Sequence, residues 1–204
     1  MDPNAIRHKF GDDYIADAHT FKMGIDRRFT EHIAKRFQNM TVLESCTGAG
    51  FTTISLAKTA KHVYTVEINQ AHQIQAKKNI ERSKISDRVT FIQGDILDPE
   101  ILNNLPQIDS AFIDPDWADE DPNHEYRFLN STTKPPADIL LNHILQLTEN
   151  ITLVLPPFIH MNEFRNLQEH ECESLFMNDR HELFCLYFGE LIRIVGSTEF
   201  QVHD

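Results

Sequence analysis

Thr41-Val42-Leu43-Glu44-Ser45-Cys46-Thr47-Gly48-Ala49-Gly50-Phe51 passes from a short apolar run through a turn with two glycines into a helical pattern. Thr41–Glu44 reads as a strand, Thr47–Gly50 as the turn, and residues 51–60 as a helix. Glycines permit positive φ and let a ligand approach the backbone. The helix N-terminus offers N–H groups without intrahelical partners. A carboxylate at Glu44 suits a ligand with a cationic amino-acid end better than a phosphate.

The alternation extends in both directions. Residues 26–39 form an amphipathic helix, with Asp26 as N-cap and Phe29, Ile33, Ala34 and Phe37 on one face. After the glycine turn come a strand at 62–67, a helix at 70–83, and strands at 88–93 and 110–113. A helix at 136–149 carries Ile139, Leu140, His143, Ile144 and Leu147 on its apolar face. A strand at 151–155 is stopped by Pro156-Pro157, and residues 161–170 are helical. The chain closes on a strand pair, 172–177 and 182–194. Residues 1–20 are polar and carry no assignment. Strand–helix units first and a hairpin last predict a doubly wound α/β sheet. It is mostly parallel and seven-stranded, with one antiparallel strand near an edge.

Composition narrows the function. The chain has 204 residues, 41% apolar and 25% charged, as expected of a globular protein. No apolar run approaches the ~20 residues of a membrane span, and Met1-Asp2-Pro3-Asn4 lacks a secretory pattern. Cys46, Cys172 and Cys185 make neither a disulfide framework nor a CxxC pair, so a reducing cytoplasm is expected. No His/Cys cluster has zinc spacing, and no metal is expected. The net charge of −12 argues against a broad nucleic-acid-binding face. The charge is uneven, however. Residues 1–92 carry 14 Lys/Arg against 10 Asp/Glu, and residues 93–204 carry 5 against 21. A polyanionic substrate would meet the N-terminal half more readily.

Four strand ends carry candidate chemistry. The first is the Glu44–Gly50 loop, with Cys46 chosen for size beside it. The second is Glu67-Ile68, where an acid can accept both ribose hydroxyls of an adenosine. The third is Gly94-Asp95-Ile96: Asp95 can accept from an adenine amino group and Ile96 can flank the ring. The fourth is Asp114-Pro115-Asp116-Trp117. There a carboxylate and a proline-fixed carbonyl can accept both hydrogens of an exocyclic amine, and the sole tryptophan offers a flat face to a heteroaromatic ring. A dehydrogenase would prefer GxGxxG, and position 53 is Thr53. The ordered set is the pattern of a Rossmann-like, S-adenosylmethionine-dependent methyltransferase.

Within that class the sequence resembles the trimethylguanosine synthase family, the RNA cap guanine-N2 methyltransferases, from about Phe21 to Ile194. Thr30-Glu31-His32-Ile33-Ala34 resembles the family helix before the first strand. Glu44–Gly50 resembles its D-x-F-C-G-x-G loop, Gly94-Asp95-Ile96-Leu97 its G-D-F segment, and Asp114-Pro115-Asp116-Trp117 its S-P-P-W. Leu155-Pro156 resembles its L-P, and Tyr187-Phe188-Gly189-Glu190-Leu191-Ile192 its Y-F-G-D-L-I. The resemblance implies a class I methyltransferase domain over 39–204, preceded by a segment and helix over 1–38 that flank the cofactor site. It implies S-adenosylmethionine held by Glu44, Cys46, Thr47, Gly48, Gly50, Glu67, Ile68, Asp95 and Ile96. Asp114 and Pro115 would orient the amine, and Trp117, with Asp116 beside it, would receive a purine nucleotide or RNA 5′ end.

The departures lie on the substrate side. The family's serine is Asp114, its second proline is Asp116, and its arginine after L-P is Pro157. The family's phosphate-holding lysine before the first helix has no counterpart. Asp114, Asp116, Asp119, Glu120, Asp121 and Glu125 make the loop acidic, with His124 among them. Such a loop repels phosphate and favours a cationic ring. Two alternatives therefore stand: a methyltransferase of a cationic small molecule or protein, or a non-catalytic cofactor-binding module acting through a partner. Residues 1–20 are placed to fold over the cofactor loop.

Overall fold

The structure is a computed structural model that describes residues 1–117 and 124–203. The chain divides into two compact units, Met1–Ser110 and Ala111–Asp204. Among the described residues no helix is long and apolar enough to cross a membrane.

The first unit holds helices α1 (Pro3–Phe10), α2 (Ala18–Met23) and α3 (Arg27–Ala34), then β1 (Thr41–Ser45), α4 (Phe51–Thr59), β2 (His62–Glu67), α5 (Gln70–Arg82), β3 (Val89–Gln93) and α6 (Pro99–Asn103). Its strands lie in the order β3-β2-β1 and pair in parallel, with Ser45 opposite Val66 and Glu67 opposite Gln93. That register brings three strand ends to one edge. Phe29, Ile33 and Phe37 are buried as the periodicity predicts, each contributing roughly 1.5–3 kcal/mol. Helix α3 stops five residues before the predicted end. Arg36 and Phe37 donate to the carbonyls three residues back, Ile33 and Ala34, which tightens the last turn. Helix α4 carries Thr52, Thr53 and Ile54, poor helix formers, yet Phe51–Ala57 are all buried. Packing rather than propensity holds this helix.

Residues 1–20 are not irregular. Asp2 caps α1 by accepting from Asn4 N, and Asp17 caps α2 in a capping box with Thr20. Phe10 stacks on Phe51, and Phe21 packs edge-on against Phe10. The Ile6, Phe10, Ala49 and Phe51 side chains form a satellite core with Tyr14, Ala16 and Phe21.

The second unit contains β4 (Ser110–Ile113), α7 (Ala137–Ile144), β5 (Ile151–Leu155), β6 (His170–Met177), β7 (Arg180–Phe188) and β8 (Gly196–Val202). The order is β4-β5-β7-β6-β8. Strands β4 and β5 are parallel, β7 is antiparallel to both β5 and β6, and β8 is parallel to β6. Among the described strands of this unit only β7 therefore runs against its neighbours, as expected. The strand count is eight among the described residues, not seven, because Gly196–Val202 adds an edge strand. The strand predicted over 182–194 ends at Phe188, where Gly189–Leu191 form a 3-10 turn. Gly189 has φ +62, and a Cβ there would sit 2.4 Å from Asn150 Oδ1, so only glycine fits this stop. Helix α7 ends at Ile144 instead of 149, again through i→i+3 bonds at Gln146 and Leu147. Ile139, expected on the apolar face, is 53% exposed, whereas Leu140, Leu141 and Ile144 are buried.

Candidate functional site

In the first unit the parallel register assembles three of the four predicted strand ends. Glu67 is the tie. Its Oε2 accepts from Gly48 N at 2.8 Å and its Oε1 from Asn69 N at 2.8 Å. Gly94 N donates to the Glu67 carbonyl at 3.1 Å, and Gln93 Nε2 donates to the Ile68 carbonyl at 2.7 Å. Glu67 as a whole residue is 6% exposed. Each of its carboxylate oxygens uses one lone pair on the backbone and retains another.

The glycine loop is shaped by left-handed backbone at Cys46 (φ +60), Gly48 (φ +55) and Gly50 (φ +81). A Cβ added to Gly48 would meet nothing within 4 Å, so the backbone there faces open space. A Cβ on Gly50 would press on Ala76 at 3.1 Å, so that glycine lets α4 approach α5. Cys46 is half-buried and its thiol is free of a disulfide. Asp95 is exposed and accepts from Leu97 N at 2.9 Å. Of the two aliphatic candidates, Ile68 is 67% exposed and Ile96 only 4%. Ile68 thus presents the open apolar surface, and Ile96 supports the edge from the core.

Glu44 is enclosed at 1% exposure. Its Oε2 accepts from Thr53 Oγ1 and from Thr65 Oγ1, both at 2.6 Å. Thr65 also shares a 2.5 Å hydrogen bond with Thr47 Oγ1. Burial pushes the carboxyl up to about 7. The two threonine hydroxyls oppose that rise, and the charge of Glu67 adds to it. Glu44 thus joins β1, the loop, α4 and β2 through one oxygen.

The N-terminal residues brace this loop. Asn79, 1% exposed, donates to the carbonyls of Ala49 and Ile15, both at 2.9 Å, and accepts from Ile15 N at 2.8 Å. Tyr14 Oη and Ser83 Oγ share a 2.9 Å bond. Gln75 Nε2 donates to Asp17 Oδ2 at 2.8 Å.

The fourth strand end belongs to the second unit. Asp114, Asp116 and Trp117 are half-buried and Pro115 is buried. Asp116 forms an antiparallel bridge with Lys134: its N–H donates to the Lys134 carbonyl at 2.9 Å, and its carbonyl accepts from Lys134 N at 2.8 Å. Tyr126 packs edge-on against Trp117 at 6.3 Å and lies 6.3 Å from Phe158, which is 66% exposed. Tyr126 and Phe158 were not singled out from sequence, although an aromatic after Pro156-Pro157 at a strand end was the available signal.

The Tyr126 segment is anchored by Glu163. Its Oε2 accepts from Phe128 N at 2.7 Å and Leu129 N at 2.8 Å, and Arg127 pairs with its Oε1. Burial raises the Glu163 carboxyl, but the Leu129 and Phe128 N–H groups and Arg127 outweigh it, and the net direction is down. His160 and Glu125 lie 2.8 Å apart. Asp119, Glu120 and Asp121 of the predicted acidic loop lie outside the described residues. Among the described residues no three His, Cys, Asp or Glu side chains converge to hold a metal.

Comparison with known proteins agrees with this architecture. A family model described as RNA cap guanine-N2 methyltransferase matches residues 39–190. Several curated proteins match, two methyltransferases among them. One is a probable cobalt-precorrin-6B C(15)-methyltransferase (decarboxylating) of Methanothermobacter thermautotrophicus, 26% identical over 57% of this chain and 59% of its own length. The other is a catechol O-methyltransferase of Niastella koreensis, 29% identical over 61% of this chain and 60% of its own. The chain thus spans about three-fifths of each. Among solved structures, a putative methyltransferase from Porphyromonas gingivalis superimposes with TM-score 0.75 at 16% identity, over 91% of this chain and 47% of that one. TrmK of M. capricolum, bound to S-adenosyl-homocysteine, superimposes with TM-score 0.57 at 14% identity, over 82% and 69%. These likenesses establish a Rossmann-like methyltransferase fold.

Proposed function

The chain belongs to the RNA cap guanine-N2 methyltransferase family, whose model spans residues 39–190, and from that premise we propose that it is an S-adenosylmethionine-dependent N-methyltransferase of a purine exocyclic amine, with a 7-methylguanosine RNA 5′ end as acceptor. The observation that carries this reading is the Asp114–Trp117 segment. A carboxylate, a proline-fixed carbonyl and an indole follow β4 and are held by the Asp116–Lys134 bridge.

The cofactor half fits its ligand. Gly48 leaves its backbone open to approach, and Glu67 keeps lone pairs for a ribose diol. Asp95 and Ile68 are exposed beside them. These residues, with Thr47, Cys46 and Gly50, would hold S-adenosylmethionine, while Glu44 would hold the loop that does so and Ile96 would back the edge from the core. When bound, the cofactor supplies a sulfonium methyl that is already electrophilic.

The protein's own work is placement. Asp114 and the Pro115 carbonyl accept the two amine hydrogens and hold the nitrogen lone pair on the reacting side. Trp117 stacks the ring, and Tyr126 fixes the indole from its edge. In-line placement with exclusion of water supplies ~7–11 kcal/mol. The amine proton leaves after transfer, so no strong base is needed first. A cationic ring over Trp117 adds ~2 kcal/mol when desolvated.

The test is methyl transfer from labelled S-adenosylmethionine to 7-methylguanosine triphosphate and to GTP. Transfer to the 7-methylated compound alone is expected. Transfer to neither, by protein that binds the cofactor, refutes the acceptor assignment. The carboxylates Asp114, Asp116 and Glu125 flanking Trp117 in the sequence, with Pro157 in place of the family arginine, favour a second reading. In it the acceptor is a cationic small molecule or protein side chain, and acceptor binding weakens with salt.

A further inference from the structure

The amino-terminal ends of β1, β2 and β3 surround an open concavity of about 530 Å³, lined by Gln38, Asn39, Lys58, Thr59, Lys61 and Arg88. Its walls come from three chain segments: the residues before β1, the end of α4 with the turn into β2, and the residue before β3. Two backbone hydrogen bonds lace the first two together, Asn39 N to the Thr59 carbonyl at 3.1 Å and Lys61 N to the Met40 carbonyl at 2.9 Å. Asn39 takes the left-handed conformation, φ +61, that this lacing requires.

Three cations and no carboxylate line the concavity. Arg7, Arg27, Arg28 and Arg82 of the same unit each pair with an aspartate or glutamate. Lys58, Lys61 and Arg88 make no such pair among the described residues. Lys58 lies in the last turn of α4, and Arg88 Nη1 donates to the Ala57 carbonyl at 3.4 Å. Both complement the carboxyl end of that helix. That local role does not explain Lys61, nor the exclusion of acids from the rim. Asp109 is at the same edge, but its carboxylate accepts from Thr41 N at 2.7 Å and is not in the lining.

We propose that this concavity binds the phosphodiester backbone of the RNA whose 5′ end is methylated. The inference takes the RNA acceptor from the proposed function and adds a second site for its body. Parallel strands put the concavity about one strand length, roughly 17 Å, from the cofactor edge of the same unit. Cations on three separate segments around an open space suit several phosphates of one chain better than a single enclosed anion. The need for such a site follows from the charge distribution. Residues 93–204 carry 5 Lys/Arg against 21 Asp/Glu, so attraction for a polyanion must come from elsewhere. Three cations make a local anchor, which suits a chain of net charge −12.

The test measures binding of a fluorescent single-stranded oligoribonucleotide of about 12 nucleotides to the full chain as salt is varied. Three phosphate contacts give a slope of log affinity against log salt near −2, about a 20-fold loss between 50 and 200 mM. The Lys58→Gln/Lys61→Gln/Arg88→Gln variant should lose most of that slope and bind about tenfold more weakly at low salt. Because Arg88 also caps α4, the Lys58→Gln/Lys61→Gln variant serves as a milder control, with a slope shallower by about 1.4. Transfer to 7-methylguanosine triphosphate should be unchanged in both.

Unchanged oligonucleotide affinity and slope in both variants would overturn the proposal. So would competition by inorganic phosphate as effective, per phosphate, as that by the oligonucleotide, because the concavity would then be a free-anion site. If the mononucleotide is not methylated but the variants still lose oligonucleotide binding, the acceptor assignment fails and the anchor stands.

Discussion

Replacing Glu44 by Gln tests the enclosed carboxyl at the base of the cofactor loop. Its side chain is buried against Thr53 and Thr65, and burial lifts its pKa from the ordinary 4.5 to about 7. In the unfolded chain it titrates near 4.5. Between those values the folded protein holds a proton that the unfolded chain has released, so folding is favoured less as pH rises. The stability is fully present below pH 4.5 and is lost as pH climbs through 7. A raise of this size corresponds to about 3 kcal/mol over the whole window, and about 2–3 kcal/mol of it falls between pH 5 and pH 8. Glutamine fills the same space, can accept both threonine hydroxyls and does not titrate. Urea unfolding of both proteins at half-unit pH steps isolates the effect, because the other groups cancel in the difference. The wild type should lose about 2–3 kcal/mol relative to Glu44→Gln between pH 5 and 8. A stability difference independent of pH over that range would refute the reasoning and show the carboxyl to be ionised throughout.

Three other substitutions probe separate parts. Asp114→Ala should abolish methyl transfer while calorimetry still detects cofactor binding; retained turnover would remove Asp114 from the mechanism. Gly48→Ala puts a Cβ into open space at φ +55, with a strain of ~1–2 kcal/mol, and should weaken cofactor binding about tenfold while leaving the fold intact by circular dichroism. Glu163→Gln removes a carboxylate that accepts from Phe128 and Leu129 and pairs with Arg127. Its folded pKa is lowered, so its stabilisation is present above the ordinary carboxylate pKa and is lost as pH falls through the folded value. Acid unfolding should show the wild type and Glu163→Gln converging at low pH and differing by about 1–3 kcal/mol at neutral pH.

Local periodicity was enough to place α3–α5, α7 and the strands β1–β5, because each is specified by apolar spacing within a dozen residues. The positions of the four strand-end segments were legible for the same reason: a parallel sheet brings every strand's carboxyl end to one edge of its unit. Residues 1–20 were not assigned. Their helices are short, with side chains such as Phe10 that find partners only on Phe51 and its neighbours. The edge strand β8 was also missed. Gly196–Val202 is exposed at every second residue and becomes a strand by lying along β6.

The sequence by itself determined the order of strands and helices, the glycine turn, and the identity of the acids at each strand end, since these depend on neighbours along the chain. Only the tertiary structure decided what those acids face. Glu44 and Glu67 are alike as strand-end carboxylates. Yet one is enclosed by hydroxyls nine and twenty-one positions away, and the other bridges two backbone N–H groups with lone pairs to spare. The same holds for Lys58, Lys61 and Arg88, which are scattered along the chain and meet because parallel strands begin at one edge as surely as they end at the other.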